Sequence, residues 1–436
     1  MSVLTSCMSR RETQFLRSEF LWLLAIVASG LLVRIITVIF LDFPPKGDYA
    51  AYQSMALNLL SGKGIVDLMG NLAYYNVGYP LFVLAPIFAL SHNSLLCVQL
   101  ANAFLGGVSI ALTYAVAREV GAGHLGRILA AGLFAFYLPS WIYAEYLAKE
   151  NLMAPFMLGV MWGALRVLHT GSFRGVLVCG GLFGLLALTG NAALTLVLPA
   201  LVALVIAPLS TGRKLIAATL AFITALIVTV PWMIRNYQVL GTPVLNTNGG
   251  FNLYLGNNPA ATGYFISISE TPRGPSWEAL RKEGEVQAAE TLRTEAVTWI
   301  KEHPLVFAAL AIKKALVFWT PPWHEGEGTG STMETLIRKL WLVQFILLTV
   351  AAVGSVFIPG LRIRDLGIVW LGILSYTAGH MLFYVIFRYR EPLMPFLCVL
   401  AALTLERVWN DWRHRQQPNR EGKTENGRGE RITGKG

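Results

Sequence analysis

Residues 174–209 read RGVLVCGGLFGLLALTGNAALTLVLPALVALVIAPL and carry no charged side chain after the first residue. One helix needs roughly 20 apolar residues to cross the hydrocarbon core of a bilayer, so this run is long enough for two crossings. Gly190-Asn191 interrupts the run and supplies the residue types of a tight turn. The stretch therefore predicts two membrane-spanning helices, 174–190 and 192–209, joined by a hairpin at one membrane surface.

The rest of the chain continues this pattern. Of 436 residues, 55% are hydrophobic and 14% are charged, and the mean hydropathy is +0.54. Soluble domains carry about a quarter charged residues, so this composition indicates lipid as the main surrounding medium. We predict an all-α polytopic membrane protein with about ten spans, near residues 21–41, 94–117, 125–144, 151–168, 174–190, 192–209, 215–234, 340–358, 366–387 and 391–406. The first is too long for a cleaved signal peptide and is predicted to be a signal anchor.

Basic residues predict the orientation of the bundle. Cytoplasmic loops carry an excess of Lys and Arg, and the short loops between the predicted spans are basic on one side. These residues are Arg10, Arg11, Arg17, Arg118, Arg127, Arg166, Arg174, Arg213, Lys214, Arg362 and Arg364. Both termini are therefore expected in the cytoplasm, with the protein in a bacterial inner (plasma) membrane. The predicted organisation is a cytoplasmic tail at 1–20, a transmembrane domain at 21–406 and a basic, disordered cytoplasmic tail at 407–436.

The net charge of +10 also raises the question of nucleic acid as a partner. Single-stranded nucleic acid is bound through basic grooves with stacking aromatics, and the basic tail offers only Trp409 and Trp412. Anionic lipid headgroups account for the charge better, so we expect membrane lipids and no nucleic acid as partners. The four cysteines mostly lie in or beside apolar runs and predict free thiols; they are Cys7, Cys97, Cys179 and Cys398.

The predicted orientation places two long segments outside the cytoplasm, 42–93 (the first long segment) and 235–339 (the second long segment). Each contains an apolar stretch, at 78–90 and at 304–320. The former is too short to cross a bilayer, and the latter carries Lys313-Lys314 in its middle. Both are predicted to be amphipathic helices at the outer membrane interface.

The first long segment contains a candidate general base. Asp48 and Tyr52 are four residues apart, so a helix would place them on one face at the outer end of the first span. The alternative is that Asp48 caps the N-terminus of that helix. Glu150 begins the fourth predicted span on the same side, where a carboxylate also complements the helix dipole. Two carboxylates from distant segments are therefore predicted at one end of the bundle.

The second long segment begins with polar groups suited to an oxygen-rich ligand. Arg235 precedes residues 246–259, a stretch rich in Asn and Gly that includes Asn248 and Asn257. Such residues form turns with left-handed conformations and expose backbone amides that bind hydroxyl or phosphate oxygens. An ordinary surface loop has the same composition, and the sequence does not separate the two interpretations.

Two arginines at the outer mouth of the last hairpin oppose the basic-inside trend. Arg388 and Arg390 would be compensated by a lipid-linked phosphate, which guanidinium groups hold through paired donors. Ordinary lipid headgroups or Glu391 are the alternative. Arg34, inside the first predicted span, also needs a partner, and structural pairing is the expected role.

Several of these segments together resemble the GT-C fold glycosyltransferases, specifically glycosyltransferase family 39, which includes protein O-mannosyltransferases and the aminoarabinose transferase acting on lipid A. The resemblance covers roughly residues 20 to 405 and follows the family's order. The motifs are Gly47-Asp48 with Tyr52, Gly78-Tyr79-Pro80, Lys149-Glu150-Asn151-Leu152, the run from Pro231 to Pro259, and Arg388-Tyr389-Arg390 with Pro392. The chain departs from the family at Tyr49, where many members have Glu, and at Gly190-Asn191, where relatives often carry Arg. The second long segment also lacks a large soluble domain such as oligosaccharyltransferases append.

The resemblance implies an inverting transfer of a sugar from a polyprenyl-phosphate carrier to a glycan, glycolipid or protein acceptor on the non-cytoplasmic face. Asp48 would be the base, with Glu150 positioning the acceptor or tuning Asp48. The other site residues expected are substrate-binding: Tyr52, Tyr79, Arg235, Asn248, Asn257, Arg388 and Arg390. Because a lipid phosphate is the leaving group, no metal or other cofactor is expected. His324-Glu325-Gly326-Glu327 lacks a spaced second pair of ligands and predicts an exposed loop rather than a metal site.

Two other functions fit the composition. A polytopic transporter or lipid flippase would also use intramembrane polar groups such as Arg34 and His380. A non-catalytic scaffold would use the long segments to bind partners. The two long segments and the lack of a visible internal repeat favour the transferase over the transporter.

Overall fold

The computed structural model of the protein describes residues 10–321 and 332–416, with side chains from residue 18 onward. In these ranges the chain is helical, and its β structure is limited to one isolated bridge between Tyr264 and Val385. The helices are α1 (Arg10–Phe40), α2 (Asp48–Leu60), α3 (Ala85–Ser91), α4 (Leu95–Glu119), α5 (His124–Ala135), α6 (Leu138–Glu145), α7 (Glu150–Thr170), α8 (Phe173–Thr189), α9 (Val197–Ile206), α10 (Thr211–Leu240), α11 (Asn248–Gly256), α12 (Trp277–Lys282), α13 (Glu285–Glu302), α14 (Pro304–Trp319), α15 (Thr332–Gly354), α16 (Ile363–Met381) and α17 (Met394–Arg415). A π-helical turn, Pro80–Leu84, precedes α3, and 3₁₀ segments at Asn191–Leu196 and Phe387–Leu393 precede α9 and α17.

Each predicted span falls on a helix or a helix pair. Among the described residues, six helices are long and apolar enough to cross a membrane, or seven if the bent pair α5–α6 forms one span. The pair bends by 47° at a break before Pro139, which cannot continue the backbone hydrogen bonding of α5. The helical stretches 173–189 and 191–206 are shorter. The all-helical membrane fold is confirmed, whereas the count of about ten spans stays a prediction.

The helices extend beyond two of the predicted boundaries. Helix α1 begins at Arg10 rather than at residue 21, and α17 continues to Arg415 into the stretch predicted as a disordered tail. The first nine residues, the rest of the basic tail and the His324–Glu327 loop lie outside the described residues. The two predicted interfacial helices do form, as Pro80–Ser91 and as α14.

Arg34 is buried inside the bundle and is held by polar groups, as expected. Its guanidinium donates to the carbonyl oxygens of Gly30 and Ala135 at 2.8 and 3.2 Å and to the Ser140 hydroxyl at 2.6 Å. A Cβ at Gly106 would lie 2.5 Å from the Arg34 Nε, so glycine there leaves room for the side chain. These contacts tie α1 to α5 and α6, which positions the end of α1 just before Asp48.

The long segments gather at one end of the bundle, here called the long-loop end, and the opposite end is the short-loop end. The Glu285 carboxylate accepts hydrogen bonds from the amides of Leu72 and Ala73, both at 3.0 Å. Arg235 donates to the carbonyl oxygens of Ile65 at 3.0 Å and Leu72 at 2.7 Å. The two long segments therefore pack against each other over the helix ends.

Candidate active site

Asp48 forms an ion pair with Arg388, which lies 340 positions later in the chain. Gly47, with a positive φ of 55°, is the residue that precedes α2, and no side chain caps this helix. The interpretation of Asp48 as an N-cap is therefore wrong, because its carboxylate points to Arg388 instead. A third of the Asp48 side chain remains exposed, so a small molecule can reach it.

Glu150 is the second carboxylate at Arg388. Its Oε1 lies 3.8 Å from Arg388 Nε, and its side chain is 5% exposed. The turn before α7 is fixed by Asn151, whose amide donates to the carbonyl oxygens of Tyr143 and Tyr146 at 2.8 and 3.1 Å. The three charged groups form what we call the carboxylate cluster: Asp48, Glu150 and Arg388. Two carboxylates paired with one guanidinium leave a net negative charge.

The structure does not bring the other two predicted arginines to this cluster. Arg390 is fully buried and donates to the carbonyl oxygens of Phe318 and Thr320 at 2.9 and 2.7 Å. Arg235 is occupied by backbone carbonyls of the first long segment and stacks on Trp232, with its Cζ 4.7 Å from the ring centroid. The prediction that Arg235 and Arg390 bind one phosphate together with Arg388 is therefore corrected, because each of these two side chains binds backbone carbonyl groups instead.

Two predicted tyrosines are part of the core rather than of an open surface. The Tyr79 hydroxyl donates to Asn102 Oδ1 at 2.9 Å, and its side chain has no exposed surface. Tyr52 is 3% exposed and makes edge contacts with Tyr75 and Tyr79 at centroid distances of 5.6 and 6.1 Å. Both support the helix that carries Asp48, and neither is exposed enough to bind substrate as predicted.

The Asn- and Gly-rich stretch forms a helix, α11, instead of the predicted turns. Its glycines allow close packing: a Cβ at Gly250 would lie 1.9 Å from the Ala289 carbonyl oxygen, and one at Gly256 would lie 2.5 Å from the Phe383 carbonyl carbon. Asn257 is buried, donates to the Leu382 carbonyl oxygen at 2.6 Å and accepts from Lys314 at 3.1 Å. Its role is structural, which corrects the predicted contact with substrate.

A cavity of about 90 Å³, here called the Lys149 cavity, is lined in part by Glu150 of the carboxylate cluster. Its lining comes from five separate parts of the chain: Asn76, Lys149, Glu150, Met153, Gly190, Asn191, Ala192, Asn248, Gly249, Asn252, Tyr376, His380, Phe383, Tyr384 and Tyr389. Of the predicted binding residues, Asn248 lines this cavity at the first position of α11. The cavity therefore joins the start of α7, the Gly190-Asn191 hairpin and the last hairpin at one place.

Lys149 is a cationic group of the cavity that the sequence analysis did not select. Its Nζ donates to Asn76 Oδ1 at 3.4 Å, and the Asn76 amide in turn donates to Asn191 Oδ1 at 3.0 Å. Burial lowers the pKa of Lys149 below its ordinary value, although the nearby Glu150 charge acts in the opposite direction. The available signal was its place in the motif Lys149-Glu150-Asn151-Leu152, of which only Glu150 was selected as a site residue.

Two phenols also lie beside Asp48. Burial raises the pKa of Tyr75 well above its ordinary value, and the Asp48 carboxylate raises it further. Burial likewise raises the pKa of Tyr49 to about 12, against the opposing effect of Arg388. Both phenols therefore keep their protons at neutral pH and act as hydrogen-bond donors or acceptors rather than as bases.

The part of the chain that the structure describes contains no group of three or more His, Cys, Asp or Glu side chains placed to hold a metal ion. The three described cysteines, Cys97, Cys179 and Cys398, are free thiols. The arrangement at the long-loop end can accept a proton at Asp48, and it offers a lysine and two helix N-termini, at Asn191 and Asn248, to an anionic group.

The sequence matches no family model and no curated protein. Solved structures are similar to the chain. The oligosaccharyltransferase AglB from Archaeoglobus fulgidus, in complex with an inhibitory peptide and a dolichol-phosphate, has a TM-score of 0.52 and 12% identity over 94% of this chain and 52% of that chain. The apo form of the Archaeoglobus fulgidus oligosaccharyltransferase has a TM-score of 0.52 and 13% identity over 91% and 52%. ArnT from Cupriavidus metallidurans, bound to undecaprenyl phosphate, has a TM-score of 0.44 and 16% identity over 88% and 78%.

The chain spans about half the length of the oligosaccharyltransferases it matches. Identities this low establish the architecture and leave substrates open. The order and packing of the helices nevertheless agree over nine-tenths of this chain. The protein therefore has the GT-C membrane fold that the motifs of its sequence predict.

Proposed function

We propose that this protein is an inverting glycosyltransferase that moves a sugar from a polyprenyl-phosphate carrier to a hydroxyl group on the non-cytoplasmic face of a membrane. The observation that carries the proposal is the carboxylate cluster of Asp48, Glu150 and Arg388, whose Glu150 lines the Lys149 cavity. The fold adds support, since AglB shares it and was solved with a dolichol-phosphate.

The reaction is a single displacement. The acceptor oxygen forms a bond to the anomeric carbon of the donor sugar while the bond from that carbon to the phosphate oxygen breaks. The electron pair of the broken bond stays on the phosphate, and the acceptor proton passes to Asp48. A positioned base contributes about 10² to 10⁴ in rate to such a step, and groups that hold the departing phosphate stabilise its growing charge.

The carboxylate cluster suggests how binding of the donor is coupled to the base Asp48. Arg388 is shared by Asp48 and Glu150 when no donor is bound. A donor phosphate that reaches the Lys149 cavity competes for the same guanidinium, which prefers paired oxygen acceptors. Partial transfer of Arg388 to the phosphate frees Asp48 to accept a proton, while Glu150 keeps hold of the arginine.

The proposed orientation places the long-loop end outside the cytoplasm and both termini inside. The basic residues of the short loops support it through the positive-inside rule. Polyprenyl carriers reach an enzyme laterally through the bilayer, which fits a site at the membrane boundary. Labelling of single cysteines with a membrane-impermeant reagent checks this: a cysteine at position 68, exposed in the first long segment, reacts in intact cells, and one at position 364 reacts only after lysis.

The experiment that tests the function is mass spectrometry of envelope lipids, glycans and proteins from cells with and without this chain. We expect one envelope component to lose a sugar when the chain is absent and to regain it with the wild type. The variant Asp48→Asn should not restore the sugar at equal membrane abundance. Asp42→Asn is the matched control, because Asp42 is exposed in the same loop and should restore it fully. Full restoration by Asp48→Asn removes Asp48 from the mechanism.

A further inference from the structure

A second cleft lies at the long-loop end, between the first long segment and helices α11 to α13. Its volume is about 180 Å³, and its walls include four aromatic side chains, Tyr74, Tyr75, Phe251 and Trp277, so it is here called the aromatic cleft. The reaction proposed above, on which this inference rests, assigns nothing to this cleft. It also leaves open whether the acceptor is a sugar or a protein.

The aromatic side chains form a continuous row. Trp277 and Phe251 have ring centroids 5.3 Å apart, Phe251 and Tyr74 are 5.7 Å apart, and Tyr74 and Tyr75 are 4.9 Å apart. The row ends at Tyr75, close enough to Asp48 that the carboxylate raises the pKa of the Tyr75 phenol. A molecule that lies along the row is therefore directed at the candidate base.

Polar groups accompany the rings. Thr247 lines the cleft with a side chain that is 5% exposed, and its hydroxyl oxygen is buried without a hydrogen-bond partner among the described residues. A buried hydroxyl without a partner costs free energy, and a ligand hydroxyl that forms a hydrogen bond with it removes that cost. Arg281, also in the wall, is partly exposed and holds only a loose 3.5 Å ion pair with Glu278.

We infer that the aromatic cleft binds a sugar ring of the acceptor, so that the acceptor is a carbohydrate. One face of a pyranose presents C–H groups, which pack on the electron-rich face of an aromatic ring, and its rim presents hydroxyls. Thr247 and Arg281 are placed to bind such hydroxyls. Aromatic-lined grooves also bind extended peptides, so a polypeptide acceptor is the competing outcome that the test below separates from a sugar.

The test is saturation-transfer NMR on the full chain in nanodiscs, without any donor. The probes are methyl glycosides of mono- and disaccharides, compared with a capped Ala-Thr-Ala peptide. We expect transfer to the ring C–H protons of a glycoside and none above lipid-only nanodiscs for the peptide. The transfer should disappear in Trp277→Ala and persist in Trp299→Ala, a half-buried tryptophan of α13 outside the cleft.

A second variant guards against loss of folding. Thr247→Val keeps the shape and removes the unpartnered hydroxyl, so it should weaken glycoside binding without lowering the thermal unfolding temperature. Asp48→Asn should bind glycosides like the wild type and yet fail to transfer sugar, which separates this inference from the proposed reaction. The inference is overturned by an absence of glycoside signal, by a signal that survives Trp277→Ala, or by stronger transfer to the peptide.

Discussion

The two ends of the helix bundle treat their carboxylates differently. At the short-loop end, Glu19 pairs with Arg127 at 3.1 Å and with His124 at 3.5 Å. Glu119 pairs with Arg166 and His169, both at 3.4 Å. At the long-loop end the ratio is reversed, because Asp48 and Glu150 share Arg388. In the proposed function, the two acids that share Arg388 supply the base, whereas an acid with two basic partners at the short-loop end is held in structural ion pairs.

The sharpest way to break this comparison is to remove the carboxylate charge at Asp48. Asp48→Asn should lower the rate of sugar transfer by about 10² to 10⁴, the contribution of a positioned base. Its thermal unfolding temperature should stay near that of the wild type, because the carboxylate is partly exposed. Transfer assays with purified protein and labelled carrier-linked sugar measure the first quantity, and unfolding of the same sample measures the second. A variant that unfolds early and transfers normally would assign Asp48 to structure.

The opposite result is expected at the short-loop end. Glu19→Ala leaves Arg127 and His124 without their carboxylate and the Tyr114 hydroxyl without its acceptor. The variant loses two ion pairs and a hydrogen bond at a buried carboxylate, so it should unfold at a clearly lower temperature. The transfer rate per folded molecule should be unchanged. Lost transfer in fully folded protein would contradict the division between the two ends.

Replacement of Arg388 sharpens the comparison within the long-loop end. Lysine keeps the positive charge but lacks the planar fork that engages two carboxylates or a phosphate through paired donors. Arg388→Lys should therefore raise the KM for the donor by about tenfold, equivalent to roughly 1.4 kcal/mol. Arg390→Lys is the control: it should lower stability, since Arg390 holds two buried carbonyls, and should leave the donor KM of the folded protein unchanged.

The smallest expected effect is a pH dependence at Lys149. Because burial lowers the pKa of Lys149, the side chain loses its positive charge at a lower pH than an ordinary lysine does. Donor affinity should therefore fall several-fold as the pH rises from about 7 to about 10. Lys149→Arg should remove this dependence, since a guanidinium stays charged throughout. The measurement is the donor KM of the wild type and of Lys149→Arg across this pH range. Identical pH profiles for the two proteins would exclude Lys149 as a group that binds the donor phosphate.

Most of the fold could be predicted from the sequence because lipid imposes a simple pattern of apolar runs on the chain. The orientation rule also placed Asp48 and the last hairpin at the same end of the bundle. The choice between Arg388 and Arg390 could not be predicted. The two arginines lie two positions apart in a 3₁₀ segment, which has about three residues per turn, so their side chains point in different directions. The spacing alone does not show these directions, because they depend on the local helix type.

Glycine was the other limit on prediction. Composition marks residues 246–259 as turns, because glycine and asparagine favour left-handed conformations. In the structure Gly250 and Gly256 are helical residues that let α11 approach neighbouring backbone. Close approach of two backbone segments and formation of a turn both require glycine. A single sequence therefore cannot distinguish these two uses of the residue. The unpartnered Thr247 hydroxyl has no sequence signal at all, since it depends on how two distant segments pack.

The hydrogen bonds from the first long segment to Glu285 have a consequence for how the sequence of this segment can vary. The carboxylate holds the amides of Leu72 and Ala73, groups that every residue except proline possesses. The exposed Met69 side chain in the cleft wall can therefore be exchanged without loss of this anchor, whereas Asp67 must stay because it accepts hydrogen bonds from the amides of Met69 and Asn71. If the cleft binds the acceptor as we infer, changes at such exposed wall positions alter acceptor choice while the loop keeps its attachment to Glu285.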